Sequence, residues 1–199
     1  MHWLNPDHLP KVVGTVDRFL INLHGQIDGI LLTDEMEVHL PPHLSDQVRA
    51  AVTPGSSISI FGVRPREAEM IVAVAIETGS GHRIVDNGPP KEKHGDKPQH
   101  LSMEVQGVVQ RSLHGPKGEA RGALLEDGRI VRVPPHEARQ REALLRPGAR
   151  LAARGPGLTV NGATVIDAKE LGTSMASLEP VTPKEPKDKE KPLKAPKHA

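Results

Sequence analysis

The side chains of this chain that could do chemistry are its arginines and its 11 histidines; it has no cysteine and no tyrosine. Thiolate metal sites, disulfides and cysteine nucleophiles are therefore excluded. His39 and His43 stand four apart, a metal-ligand spacing when both lie on a helix. Pro41 and Pro42 fall between them, so His39 belongs to a strand and no metal site is expected. His43 follows Pro41-Pro42, and His136 follows Pro134-Pro135. A histidine at such a strand-to-helix corner can hydrogen-bond a backbone group left free there, and a structural role for both follows. There is no glycine-rich phosphate loop, no His-Glu-x-x-His and no Gly-x-Ser-x-Gly. Asp34 and Asp127 sit in turn sequences, where aspartate serves local hydrogen bonding. No catalytic residue and no cofactor are expected, and the chain reads as a non-enzyme.

The Pro-Pro-His motif is one part of a longer repeat. Residues 14–62 align with residues 107–155 at a constant offset of 93, without a gap and with 18 of 49 pairs identical. Arg18 matches Arg111, Gly25 matches Gly118, Gly29 matches Gly122, Asp34 matches Asp127, and Pro54-Gly55 matches Pro147-Gly148. One structural unit is present twice.

The copies differ in charge. Residues 1–78 carry 5 basic and 10 acidic side chains; residues 102–176 carry 11 basic and 8 acidic. The difference falls at particular strand positions. If Val131 and Val133 face a core, Arg132 faces outward, where the first copy has His39. Arg121 replaces Asp28 on the preceding strand. Arg121 and Arg132 are thus candidate phosphate contacts, with Arg111, Lys117 and Arg129 adding to the same positive field.

The elements that must position these residues follow from pattern. Residues 12–23 alternate as a long strand, 27–33 and 36–40 as two more, and Gly25 supplies the first turn. Pro41-Pro42 ends the third strand. A short helix fits residues 43–52, stopped by Pro54-Gly55, and two strands follow at 57–63 and 70–76. In the second copy the helix is predicted at 137–145 and the last strands at 150–154 and 164–167.

The order β-β-β-α-β-β, with a long glycine-containing first strand, resembles the OB-fold, a five-stranded Greek-key barrel. The chain is then mainly β: an irregular lead-in (1–11), an OB-like barrel (12–78), a Gly/Pro/Lys-rich flexible linker (79–101), a second OB-like barrel (102–176) and a disordered Pro/Lys/Glu-rich tail (177–199). The linker composition favours barrels that swing independently, although a barrel edge could still pair with its sister. The resemblance implies a ligand on the outer face of strands two and three, and single-stranded DNA or RNA as that ligand. A protein partner is the alternative, through the acidic first barrel and the charged tail; a small-ligand or metal site at the histidine corners is a third.

Aromatic residues are scarce: two Phe, one Trp and, in residues 102–176, none. Base stacking on rings, common among single-strand binders, has little to work with here. No apolar run approaches the roughly 20 residues that span a bilayer, so no membrane contact is expected. The first residues lack the pattern of a secretory signal, which gives a cytoplasmic expectation.

Overall fold

The computed structural model describes residues 5–66, 68–89 and 98–182. In the first copy β1 (Lys11–Ile21), β2 (Ile27–Leu32) and β3 (Glu37–His39) form an antiparallel meander. A 3-10 turn over Pro42–Leu44 leads into α1 (Ser45–Ala51), then β4 (Ser57–Val63) and β5 (Met70–Thr78) follow. β1 pairs with β2 through its second half and with β4 through its first. β4 pairs with β5, and β5 closes the ring by a parallel pairing with β3. This closed five-stranded ring, with a helix between strands three and four, is an OB barrel.

The second copy repeats the plan. β7 (Leu101–His114), β8 (Ala120–Leu125) and β9 (Ile130–Arg132) make the meander. β10 (Arg150–Val160) pairs with β7, β11 (Ala163–Asp167) pairs with β10, and β11 lies parallel to β9. β12 (Glu170–Gly172) continues β11 and pairs with the first half of β10. Even the irregularities recur: β1 shifts register at Val16/Arg18 and Leu20/Ile21, and β7 shifts at the matching Val109/Arg111 and Leu113/His114. Such bulges bend a strand so that it can serve two sides of a small barrel.

Local chemistry explains the turns. Asn22 Oδ1 accepts hydrogen bonds from the amides of His24 and Gln26 (2.8 and 3.1 Å), and Gly25 takes a φ of 72°. Asp34 and Asp127 accept from the amides two residues on, Met36 (3.1 Å) and Arg129 (3.0 Å). They are turn residues, as their sequence context implies. Leu44 and Val48 turn the buried side of the first corner inward. In the second copy the helix is broken: α2 (Pro135–Gln140) ends at Arg141 and α3 (Glu142–Leu145) restarts. The Arg141 guanidinium donates to the carbonyls of Leu171 (3.1 Å) and Pro180 (2.8 Å).

Three sequence expectations are corrected. Each unit has a sixth short strand on the outside of strand five: β6 (Arg83–Val85) on β5, and β13 (Glu179–Pro180) on β12. The first lies in what reads as linker and the second in what reads as tail. Composition hides both because they are only three and two residues long. The repeated histidines hold the chain just beyond these strands. His43 Nε2 is 2.9 Å from Asp86 Oδ1, and His136 Nε2 is 2.7 Å from the carbonyl of Thr182. The predicted tail from residue 183 on, and residues 90–97 of the predicted linker, lie outside the described residues.

The third correction concerns the relation of the barrels, which pack on each other rather than standing apart. Leu113, Leu124, Ile130, Leu158 and Val165 of the second copy, all at most 5% exposed, join the buried cluster of the first. The contact is reciprocal. Arg111 Nη1 donates to the carbonyl of Glu35, and the matching Arg18 guanidinium lies against Gly128, the counterpart of Glu35. Linker composition could not reveal this, because the apolar residues that decide it alternate with core residues on ordinary strands.

Candidate nucleic-acid interface

The outward sides of β1–β3 and β7–β9 face each other, so the site must be built from what this seam leaves open. At one end of the seam is a cleft of about 420 Å³. Positions 28 and 39 of the first copy and their counterparts 121 and 132 of the second all line it. The β1–β2 turn contributes Asn22, Leu23 and His24; the β7–β8 turn contributes His114 and Gly115.

Two of the four central residues form an ion pair. Arg132 Nη2 lies 2.6 Å from Asp28 Oδ1 and also donates to the carbonyl of Ile21 at 3.2 Å. Their side chains are only 17% and 16% exposed. Arg132 Nε is buried with no hydrogen-bond partner. Burial pushes the Asp28 carboxyl above its ordinary range, and Arg132 beside it only partly offsets this. Burial, then the charges of Arg132 and Arg121, pull His39 below the ordinary imidazole range. His39 is therefore a neutral ring at neutral pH. Arg121 is exposed, and among the described residues it has no ion-pair partner.

The other predicted cations are distributed unevenly. Lys117 is exposed on the β7–β8 turn. Arg111 is committed to the Glu35 carbonyl across the seam. Arg129 is folded back on Asp127 and on the carbonyl of Gln106 (3.1 Å). Arg132 is drawn into the seam rather than standing on an open face. Arg121 and Arg132 thus share one cleft, with Lys117 on the adjoining turn, while Arg111 and Arg129 are tied elsewhere.

A residue pair that sequence reasoning missed lies beside the cleft. Glu37 is 2% exposed, and its carboxylate receives both the His114 amide (2.9 Å) and His114 Nδ1 (2.8 Å). The repeat contained the signal. The counterparts of Glu37 and His114 are Ile130 and Ile21, so an apolar pair in one half of the reciprocal contact is a polar pair in the other. His114 also lines two further depressions, one with Arg64 and Arg111, the other with Arg139 and Arg146.

Among the described residues no aromatic ring is offered as a stacking platform. Phe61 is 9% exposed and is covered by Lys11 and Arg83, 5.4 and 4.9 Å from its ring centre. Its counterpart Arg154 is held between Glu104 (2.7 Å) and Glu170 (2.6 Å). Among the described residues no three histidines, aspartates or glutamates converge as a metal site, and no helix is long and apolar enough to cross a membrane.

No protein-family model matches the chain, and no curated protein matches its sequence. Among solved structures, a deletion mutant of the single-stranded DNA binding protein from Thermus aquaticus, which also carries one arginine-to-alanine substitution, aligns at 16% identity and a TM-score of 0.27. That alignment covers 88% of this chain and 96% of the other. The wild-type protein from the same organism aligns at 17% identity over 81% of this chain and 90% of the other, also at a TM-score of 0.27. Scores this low carry no weight for the function, and the OB assignment stands on the strand pairing itself.

Proposed function

We propose that the chain is a non-catalytic binding protein for single-stranded nucleic acid, which it contacts at the cleft between its two OB barrels. The observation that carries this reading is Arg121: an exposed guanidinium without an ion-pair partner among the described residues, in a cleft whose floor is a second arginine. Arg121 and Lys117 make the outer phosphate contacts, and Arg132 lies behind them. Arg111 and Arg129 act at most through the general field, since protein groups already hold them. The lack of open aromatic rings among the described residues favours recognition of the backbone over recognition of bases.

The rival reading is a protein-interaction module. Its acidic barrel already has Asp28 and Glu37 engaged by the sister barrel, which leaves it less to offer a partner. The histidine-corner ligand site is weaker still, because both histidines hold the chain that follows each barrel.

The test is fluorescence anisotropy of labelled single-stranded DNA and RNA oligomers with the full chain at rising salt. About three phosphate contacts give a slope of log affinity against log salt near −2. Arg121→Ala should make that slope shallower by about 0.7, and Arg121→Glu should abolish binding. Affinity retained by Arg121→Glu would overturn the site.

A further inference from the structure

We infer that the cleft receives the phosphorylated end of a strand rather than an internal stretch. This rests on the single-strand reading above and narrows it. An OB barrel that holds the middle of a polymer needs its strand-two and strand-three face open along its length. Here that face is closed in both copies by the apolar seam, with Leu124 and Ile130 at most 1% exposed. What remains open is a cleft of about 420 Å³, walled by the β1–β2 and β7–β8 turns and by Pro134-Pro135. This volume is near the lower end for a single small-ligand site.

The chemistry of the cleft matches the group that distinguishes an end. A terminal phosphomonoester carries more negative charge and more free oxygens than an internal diester. Arg121 has its whole donor fork available, and Arg132 adds its charge behind it in the same cleft. Of the acids nearby, Asp28 is held by Arg132, Asp167 by Lys169 Nζ at 2.6 Å, and Glu119, beside Arg121, accepts from the Lys117 amide at 3.0 Å. Among the described residues no Phe or Trp lines the cleft, so the end would be recognised by its phosphate whatever its base. The same phosphomonoester is present on a free nucleotide, and the experiment separates the two sources.

The experiment is competition against a labelled 5′-phosphorylated single-stranded oligomer bound to the full-length protein. The competitors are the same oligomer unlabelled and 5′-phosphorylated, 3′-phosphorylated, without terminal phosphate, and closed into a covalent circle; a nucleoside 5′-monophosphate completes the set. The expected result is that a phosphorylated linear oligomer displaces the label at least about tenfold better than the circle, the worth of one added charge-assisted hydrogen bond. Arg121→Gln should erase that preference with an unchanged melting temperature. A circle that competes as well as the linear strand overturns end recognition while leaving single-strand binding intact. A free nucleotide that competes as well as the strand end keeps the phosphomonoester site and removes the polymer as its ligand. If no linear oligomer binds even at low salt, both proposals fall.

Discussion

The Asp28–Arg132 pair gives a prediction with an uneven outcome for its two partners. Replacing Arg132 with Met removes the 2.6 Å contact to Asp28 and the 3.2 Å bond to the Ile21 carbonyl. It leaves a carboxylate, 16% exposed, with no counter-charge. Breaking a buried pair from one side costs about 3–5 kcal/mol; the residual exposure of this pair puts the expectation near 3 kcal/mol. For a chain of this size that lowers the melting temperature by roughly 6–12 °C. Asp28→Asn should cost less, because the amide oxygen remains as an acceptor for Arg132. Burial moreover raises the Asp28 carboxyl above its ordinary range, with Arg132 opposing the shift. Asp28 therefore contributes stability that is full below its ordinary value of 3.8 and is lost as pH rises through its higher folded value. Asp28→Asn should remove that part of the pH dependence. The double variant Asp28→Leu/Arg132→Met should recover most of the loss seen in Arg132→Met, since packed apolar side chains replace buried pairs at little cost. Urea unfolding of the parent and these three variants is the assay. A cost below about 1 kcal/mol for Arg132→Met, or a double variant no more stable than it, would refute the reasoning.

Other positions have equally direct tests. Gly122 has a φ of 148°, and a Cβ there would collide with the Val131 carbonyl oxygen. Gly122→Ala should therefore destabilise by about 3 kcal/mol or more in urea unfolding, against about 1 kcal/mol for Gly55→Ala, whose Cβ meets nothing within 4 Å. His136→Ala removes the bond to the Thr182 carbonyl, so hydrogen exchange at the Val181 and Thr182 amides should quicken; unchanged rates would deny the histidine its holding role. Burial alone would raise Glu137, but the Thr182 hydrogen bonds and then Arg141 outweigh it and hold the carboxyl below its ordinary 4.5. Its contribution is full above that value and is lost as pH falls through the lower folded one, so Glu137→Gln should flatten the acid side of the stability profile, and an unaltered acid slope would count against it.

Much of the fold was legible because the chain states it twice. The gapless repeat located the turns, the Pro-Pro corner and the outward positions, and the order of elements implied an OB barrel. The sixth strands escaped because two or three residues carry no measurable period. The seam escaped for a different reason. Leu124 and Ile130 look like ordinary alternating strand residues, and nothing local marks them as facing a sister barrel instead of solvent. Arg132 could be assigned to an outward face, but whether that face meets water or another protein surface is a tertiary fact. The Glu37–His114 pair was detectable in principle as a polar-for-apolar exchange between matched positions, since Ile130 and Ile21 occupy the same places in the other half.

The reciprocal seam has a further consequence for how the two halves could come to differ. In a dimer of identical chains, a two-fold contact uses position 28 against position 39 twice over, and any substitution acts on both at once. With both copies on one chain, association no longer depends on protein concentration, and each half of the contact is free to vary alone. Here one half is Asp28 against Arg132, a closed pair that fastens the barrels. The other sets Arg121 near a neutral His39, leaving a charge directed outward. Covalent linkage thus allows a symmetric joint to be a clasp on one side and a point of contact on the other.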